Sequence, residues 1–349
     1  MLNKKTTAAI TILIAAVYAA GCGLLSGERK EKLDPPQSVT YTDNLKSEEQ
    51  QLTKQNKNMV MTELYLIDKN GYVVSQTMPL SNTKNLAKQA LEYLVAEGPI
   101  TNMLPNDFRP VLPAGTQVQS VDVQNGTATV DFSPEFKEYA KEDEARIVQA
   151  VTWTLTQFDS INRVKMRING HELKEMPVAN MPLNAKGMTR KSGINLDTSN
   201  VVDVANTRPV TVYFMAQQGD NYYYVPVTRR IANNSKEDQI SAVVKELTKG
   251  PKAGSGLVTE FIPQAELLER PIVKDGRVTL NFNEAILGSM ENKVVSEHVL
   301  KLLALSLTED STIESLAIQV AGSSEIITEK GEPLSSSVTR PEFINPIGL

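Results

Sequence analysis

The residue whose chemistry is most narrowly specified is Cys22, the one cysteine of the chain. It directly follows Ala19-Ala20-Gly21, and upstream lie Lys4-Lys5 and an apolar run from Ala8 to Ala20. A basic start, a short apolar run and small residues before a cut site make a secretory signal peptide. A cysteine placed directly after that cut matches a lipobox, where the thiol is acylated and becomes the first residue of the mature chain. The usual lipobox has leucine where Ala19 stands. Two other readings exist: an ordinary signal peptide with an incidental cysteine, or an uncleaved anchor. Against the first, there is no second cysteine to give Cys22 a disulfide role. Against the second, the apolar run is shorter than the roughly 20 residues of a membrane span. Lipid attachment at Cys22 is the expectation.

Other reactive side chains are sparse. The two histidines, His171 and His298, stand alone, the first after Gly170 and the second inside a helical stretch. No Cys or His grouping has metal-ligand spacing, so neither a metal nor any other cofactor is expected. Glu142-Asp143-Glu144 precedes a helix, where acids suit the positive end of the dipole. Ser255, in Gly254-Ser255-Gly256, is too tightly flanked for a nucleophile elbow, and no phosphate-cradling glycine motif occurs. Asp131 has Asn281 as its counterpart later in the chain. An acid or base needed twice would not be an amide once, so Asp131 is expected to bond local backbone at a strand end. No enzyme activity is expected. The remaining candidate is aromatic. In Tyr222-Tyr223-Tyr224 a strand would put Tyr222 and Tyr224 on one face. They are read either as half-buried strand residues or as a partner-binding patch, since exposed tyrosines often anchor interfaces. Trp153 is expected in the core.

The elements that position these residues come in two copies. Each copy starts with two β-rich runs around a turn at Lys69-Asn70-Gly71 or Gln218-Gly219-Asp220-Asn221. A helical stripe follows, Leu86, Ala90, Leu91 and Leu94 against Ile240, Val243, Val244 and Leu247. Gly98-Pro99 and Gly250-Pro251 are the expected helix stops, with glycine in the left-handed cap. Next come hairpin turns, Asn125-Gly126 and Asp275-Gly276, which suit type I′. Alternating strands flank them: Val121 and Val123 before the first turn, Ala128, Val130 and Phe132 after it, and Val278, Leu280 and Phe282 in the second copy. The offset is 150, from Gly126 to Gly276. A second helix and a last strand ending at Gly170 or Gly322 complete each copy, now at an offset of 152.

Each copy thus reads β-β-α-β-β-α-β. The fold class is α+β, a two-layer α/β sandwich in which helices cover one face of a small mixed sheet. The expected organisation is a signal peptide over 1–21, a flexible tether over 22–58, a first domain over 59–183, a linker over 184–208 and a second domain over 209–349. The tether is polar, with Pro35-Pro36, and lacks the apolar surface to fold. Val201, Val202 and Val204 are apolar enough for the linker to lie along a domain. With 41% hydrophobic residues the chain can build real cores. A net charge of −5 without a long basic run argues against nucleic acid as a partner.

Together, the lipobox, the Pro-Pro tether, the paired Glu97-Gly98-Pro99 and Lys249-Gly250-Pro251, and the paired Thr129-Val130-Asp131-Phe132 and Thr279-Leu280-Asn281-Phe282 carry a resemblance. The chain resembles the GerM-like family of sporulation and germination lipoproteins with tandem GerMN domains. The second copy departs at Asn281 and at Glu309-Asp310, where the first has Gln157-Phe158. The resemblance implies modules like ring-building motifs and a lipid-anchored place on the outer forespore membrane, facing the intermembrane space. It implies a scaffold role for a channel complex between mother cell and forespore. Partners would be membrane lipid through Cys22, envelope channel-complex proteins and further copies in a ring. The competing reading is an extracytoplasmic lipoprotein that binds wall glycan or a small solute.

Overall fold

The computed structural model describes residues 59–198, 206–233, 237–289, 293–334 and 337–347. Cys22, the tether and Val201, Val202 and Val204 lie outside the described residues. The described residues form one compact unit.

The first repeat opens with strands β1 (Met59–Asp68) and β2 (Val73–Ser81), an antiparallel hairpin closed by Gly71 at φ 83°. Short helix α1 (Leu86–Glu92) follows, and β3 (Phe108–Arg109) pairs back onto β1. A four-stranded mixed sheet comes next: β4 (Val118–Gln124), β5 (Thr127–Phe132), β6 (Arg163–Ile168) and β7 (His171–Glu172), in that order. Helix α2 (Glu144–Leu155) is the crossover between the parallel strands β5 and β6. The second repeat repeats the plan with hairpin β8 (Thr207–Gln218) and β9 (Asn221–Ala232), then helix α3 (Gln239–Thr248). Strands β10 (Ile272–Lys274) and β11 (Arg277–Phe282) follow, then the two-residue β12 (Val294–Val295) and crossover helix α4 (Glu297–Leu307). Strand β13 (Ser315–Val320) pairs parallel with β11. Short strands β14 (Ile327–Thr328) and β15 (Val338–Thr339) end it, with β15 antiparallel to β13.

The β-β-α-β-β-α-β order and the mixed α/β class are as the sequence indicated, with each repeat dividing its strands between hairpin and sheet. The reasons are local. Both central turn residues have positive φ, 50° and 76° at Asn125-Gly126 and 50° and 73° at Asp275-Gly276, as a type I′ turn needs. Ala128, Val130 and Phe132, like Val278, Leu280 and Phe282, are fully buried on one face. The change of offset from 150 to 152 leaves the pairing intact: Thr127 faces Arg163 as Arg277 faces Ser315. The two extra residues are therefore taken up between the paired strands. Both crossover helices are buried around most of their circumference, and Trp153 in α2 is core, packed 5.6 Å from the ring of Tyr65.

Two local expectations are corrected. Helix α1 stops six residues before Gly98, and the left-handed residue is Glu97 at φ 61°. Gly98 is glycine for a different reason: a Cβ there would sit 2.8 Å from the Val95 carbonyl oxygen. In the second repeat Gly250, φ 72°, caps α3 as expected. On the edge strand β4, Val121 is partly buried and Val123 is 40% exposed, so this strand covers its apolar face only in part.

The connector shows the largest difference. Residues 188–197, expected within the linker, are folded onto both repeats. Met188 bridges to Val164 in β6, as Val338 pairs with Leu316 in β13. The positions are 150 residues apart, and so are the neighbours: Thr189-Arg190 against Thr339-Arg340, Ile194-Asn195 against Ile344-Asn345. The repeat unit therefore ends in a strap, residues 188–197 in the first copy and 338–347 in the second.

Candidate functional site

The two straps build the junction between the repeats. Strands β2 and β9 lie side by side there, and two asparagine side chains bridge them. The Asn195 carboxamide accepts from Val73 N–H at 2.8 Å and donates to the carbonyls of Val73 and Pro226, each at 2.8 Å. The Asn345 carboxamide accepts from Tyr224 N–H at 2.7 Å and donates to the carbonyls of Tyr224 and Ser75, each at 2.9 Å. Val73 and Ser75 correspond to Tyr224 and Pro226, each pair 151 residues apart, so the two bridges are equivalent about a pseudo-twofold axis. Both asparagines are left-handed, φ 47° and 50°, a conformation asparagine adopts more readily than most residues.

The straps also meet at an ionic cluster. Arg190 and Arg340 lie against the C-terminal ends of α2 and α4, bonding the hydroxyls of Thr156 at 3.2 Å and Thr308 at 3.1 Å. Cations suit those helix ends. Both guanidiniums then converge on one carboxylate, Glu309, at 3.1 and 2.8 Å. The Tyr213 hydroxyl donates to the same carboxylate at 2.7 Å. Burial pushes the Glu309 carboxyl up, but the two arginines and Tyr213 outweigh it and hold it below the ordinary carboxylate range.

The tyrosine run sits on β9 at this junction. Strand alternation is as expected: Tyr222 and Tyr224 share one face and Tyr223 takes the other. Their environments differ. Tyr222 is 43% exposed and meets the His298 ring edge-on at 5.6 Å. Tyr224 is buried, with its hydroxyl 2.8 Å from His298 Nδ1. Burial, then the Glu260 and Glu297 carboxylates, push the Tyr224 hydroxyl far above its ordinary value, so it stays protonated. Tyr223 crosses to the first repeat, where its hydroxyl donates to the buried Asp68 at 2.7 Å and its ring packs on Phe108. Tyr222 is the one side chain of the run with its ring substantially in solvent. Replacing Tyr224 by serine should cost about 3 kcal/mol of stability through lost burial. Tyr222→Ser should leave the unfolding free energy within about 0.5 kcal/mol of the parent. Urea denaturation of each variant checks both values.

The acids and histidines take structural positions. Asp131 accepts from Gly170 N–H at 2.9 Å, and Asn281 accepts from Gly322 N–H at 2.9 Å. Only an acceptor is needed, which is why an amide serves in the second copy. Asp143 holds Arg109 and Arg146, while Glu144 accepts from the N–H groups of Val178, Ala179 and Met181. His171 lies on β7. Among the described residues, no group of three or more His, Cys, Asp or Glu is placed to hold a metal. No helix among them is long and apolar enough to cross a membrane.

Both repeats match the family described as sporulation and spore germination, over residues 63–174 and 211–325. The chain belongs to the GerMN-domain family of sporulation and spore germination proteins. The spore germination protein GerM of Bacillus subtilis (strain 168) is 50% identical over 363 aligned residues, covering 98% of each chain. The solved tandem GerMN domains of the sporulation protein GerM from Bacillus subtilis superpose with a TM-score of 0.77 at 55% identity. That match covers 82% of this chain and 99% of the other. Its mixed α/β architecture is therefore the tandem GerMN fold. The family match stops short of both straps, at 174 and 325, so family boundaries alone would also miss them.

Proposed function

We propose that this GerMN-family protein is a lipid-anchored extracytoplasmic scaffold that supports an envelope channel complex between mother cell and forespore, with effects on germination. The observation that carries this reading is Cys22, set directly behind Ala19-Ala20-Gly21 and ahead of a tandem GerMN unit. The acylated thiol would hold the unit on the outer forespore membrane, facing the intermembrane space. The working parts would then be surfaces. Tyr222 is the contact residue on β9, and Tyr224 supports it through His298. Contacts between copies would be heterologous, of the kind that closes rings or extends.

Changing Cys22 to alanine should move the protein from the membrane to the soluble fraction of lysed sporangia. One acyl chain binds membranes only marginally, so the loss should be complete if two or three chains are attached. Equal membrane recovery of the variant would refute lipid anchoring. Affinity capture of the tagged protein from detergent-solubilised sporulating cells tests the scaffold. Channel-complex proteins should be recovered, and Tyr222→Ser should reduce their yield. Capture of no protein by well-folded bait would sink the scaffold reading. A thermal shift with muropeptides would then favour the wall-glycan alternative.

A further inference from the structure

The straps do more than join their own repeats. Each one reaches across and pairs main chain with the other repeat's hairpin. The first strap sits on Thr228 of β9: Thr228 N–H donates to the Ile194 carbonyl at 2.8 Å and Asp197 N–H donates to the Thr228 carbonyl at 2.9 Å. The second sits on Thr77 of β2: Thr77 N–H donates to the Asn345 carbonyl at 3.1 Å and Ile347 N–H donates to the Thr77 carbonyl at 3.1 Å. Thr77 and Thr228 are equivalent, 151 residues apart. The anchoring side chains, Ile194 and Ile344, are both buried. The repeats have thus exchanged equivalent tails within one chain.

From this exchange we infer that the hairpin edge at Thr77 is a strand-addition site for an Ile-Asn tail, and that a second copy of this chain can fill it with its own residues 338–347. Two features carry the inference. First, the edge accepts a tail from outside its own repeat, since each hairpin holds the tail of the other. Second, everything the tail brings lies within residues 338–347: buried Ile344, the Asn345 carboxamide on Ser75 and Tyr224, main chain on Thr77, Arg340 on Glu309 and Val338 on Leu316. Exchange between copies keeps every one of these bonds and changes only their molecularity, which is why strand exchange between identical chains is inexpensive. Concentrating copies in one place raises the effective concentration that favours it. The inference stands whether or not Cys22 is acylated.

A cysteine pair tests it in the full chain, with Cys22→Ser as background. Thr77 and Pro346 are bridge partners, so Thr77→Cys and Pro346→Cys in one chain should form an internal disulfide. Each change is then placed in a separate chain, and the two proteins are mixed at high concentration under mild oxidation. A covalent dimer joining the two variants is the expected result. Internal closure of the double variant without any cross-linked dimer in the mixture would overturn the proposal. A peptide measurement decides the matter independently of cysteine geometry. A labelled peptide of residues 338–347 should bind the full chain carrying Ile344→Asp and Asn345→Ala, whose own strap is disabled. The same peptide with Asn345→Ala should bind at least tenfold more weakly. No binding of the parent peptide to a variant shown to be folded by circular dichroism would equally overturn it.

Discussion

Replacing Glu309 by alanine is expected to destabilise the protein by about 3 kcal/mol and to lower its thermal midpoint by roughly 6 °C. The carboxylate is 11% exposed and is shared by Arg190, Arg340 and the Tyr213 hydroxyl. Its removal leaves two guanidiniums and a phenol facing each other without a counter-charge. The cost comes mainly from that stranded charge, and it stays at the low end of the range because each arginine is about a quarter exposed and keeps some water. The sign of the pH dependence follows from the lowered carboxyl. A carboxyl lower in the folded than the unfolded chain stabilises fully above the unfolded value of about 4.3. That contribution fades as pH falls through the folded value. Glu309→Gln should therefore differ from the parent most at neutral pH and converge with it in acid. Urea denaturation across pH 3 to 7 measures this. A difference that stays constant in acid would mean that Glu309 acts by shape alone.

The arginines at this cluster were present in the sequence but not legible there. Alternation and helical stripes marked the strands and crossover helices, because burial on one face imposes a period. The straps have no period. Their nine aligned residues, 188–196 and 338–346, share Thr, Arg, Ile and Asn at fixed places, in a composition of Lys, Gly, Ser and Pro that reads as loop. The one signal available is the offset, which is 152 at Gly170 and Gly322 and returns to 150 in the straps, beyond the last sheet strand. The asparagines look like ordinary loop residues until β2 and β9 are side by side, since each makes its bonds across 31 to 270 positions of sequence.

The tyrosine run shows the same limit. Alternation placed Tyr222 and Tyr224 together, and they are together. It gave no depth, because depth depends on α4 bringing His298 and on the second strap bringing Asn345 to β9. Asp131 was the opposite case. Comparison with Asn281 separates an acceptor role from a proton-transfer role on sequence alone, and the Gly170 and Gly322 bonds are of that acceptor kind.

Arg229→Met should cost about 3–5 kcal/mol, the range for breaking a buried ion pair from one side. Arg229 is 4% exposed and ties three elements together. It donates to the Gly250 carbonyl at 2.7 Å and to the Glu246 carbonyl at 3.0 Å at the end of α3, and pairs with Asp197 in the first strap at 3.3 Å. The Glu246 carboxylate, 3.2 Å away and itself 4% exposed, would keep only its contact with Lys249. Methionine is the informative replacement because the first repeat carries Met78 at the equivalent position, fully in the core. The fold therefore accommodates that side chain at this point on the hairpin, and the loss would report the carboxylates of Glu246 and Asp197 deprived of Arg229 rather than a misfit. The double variant Arg229→Met, Glu246→Leu should then recover more than half of the loss, since an apolar pair often replaces a buried ion pair at little cost. Guanidinium denaturation of the single and double variants gives both numbers. Absence of recovery would show that the main-chain bonds to the end of α3, and not the carboxylate, are what Arg229 supplies.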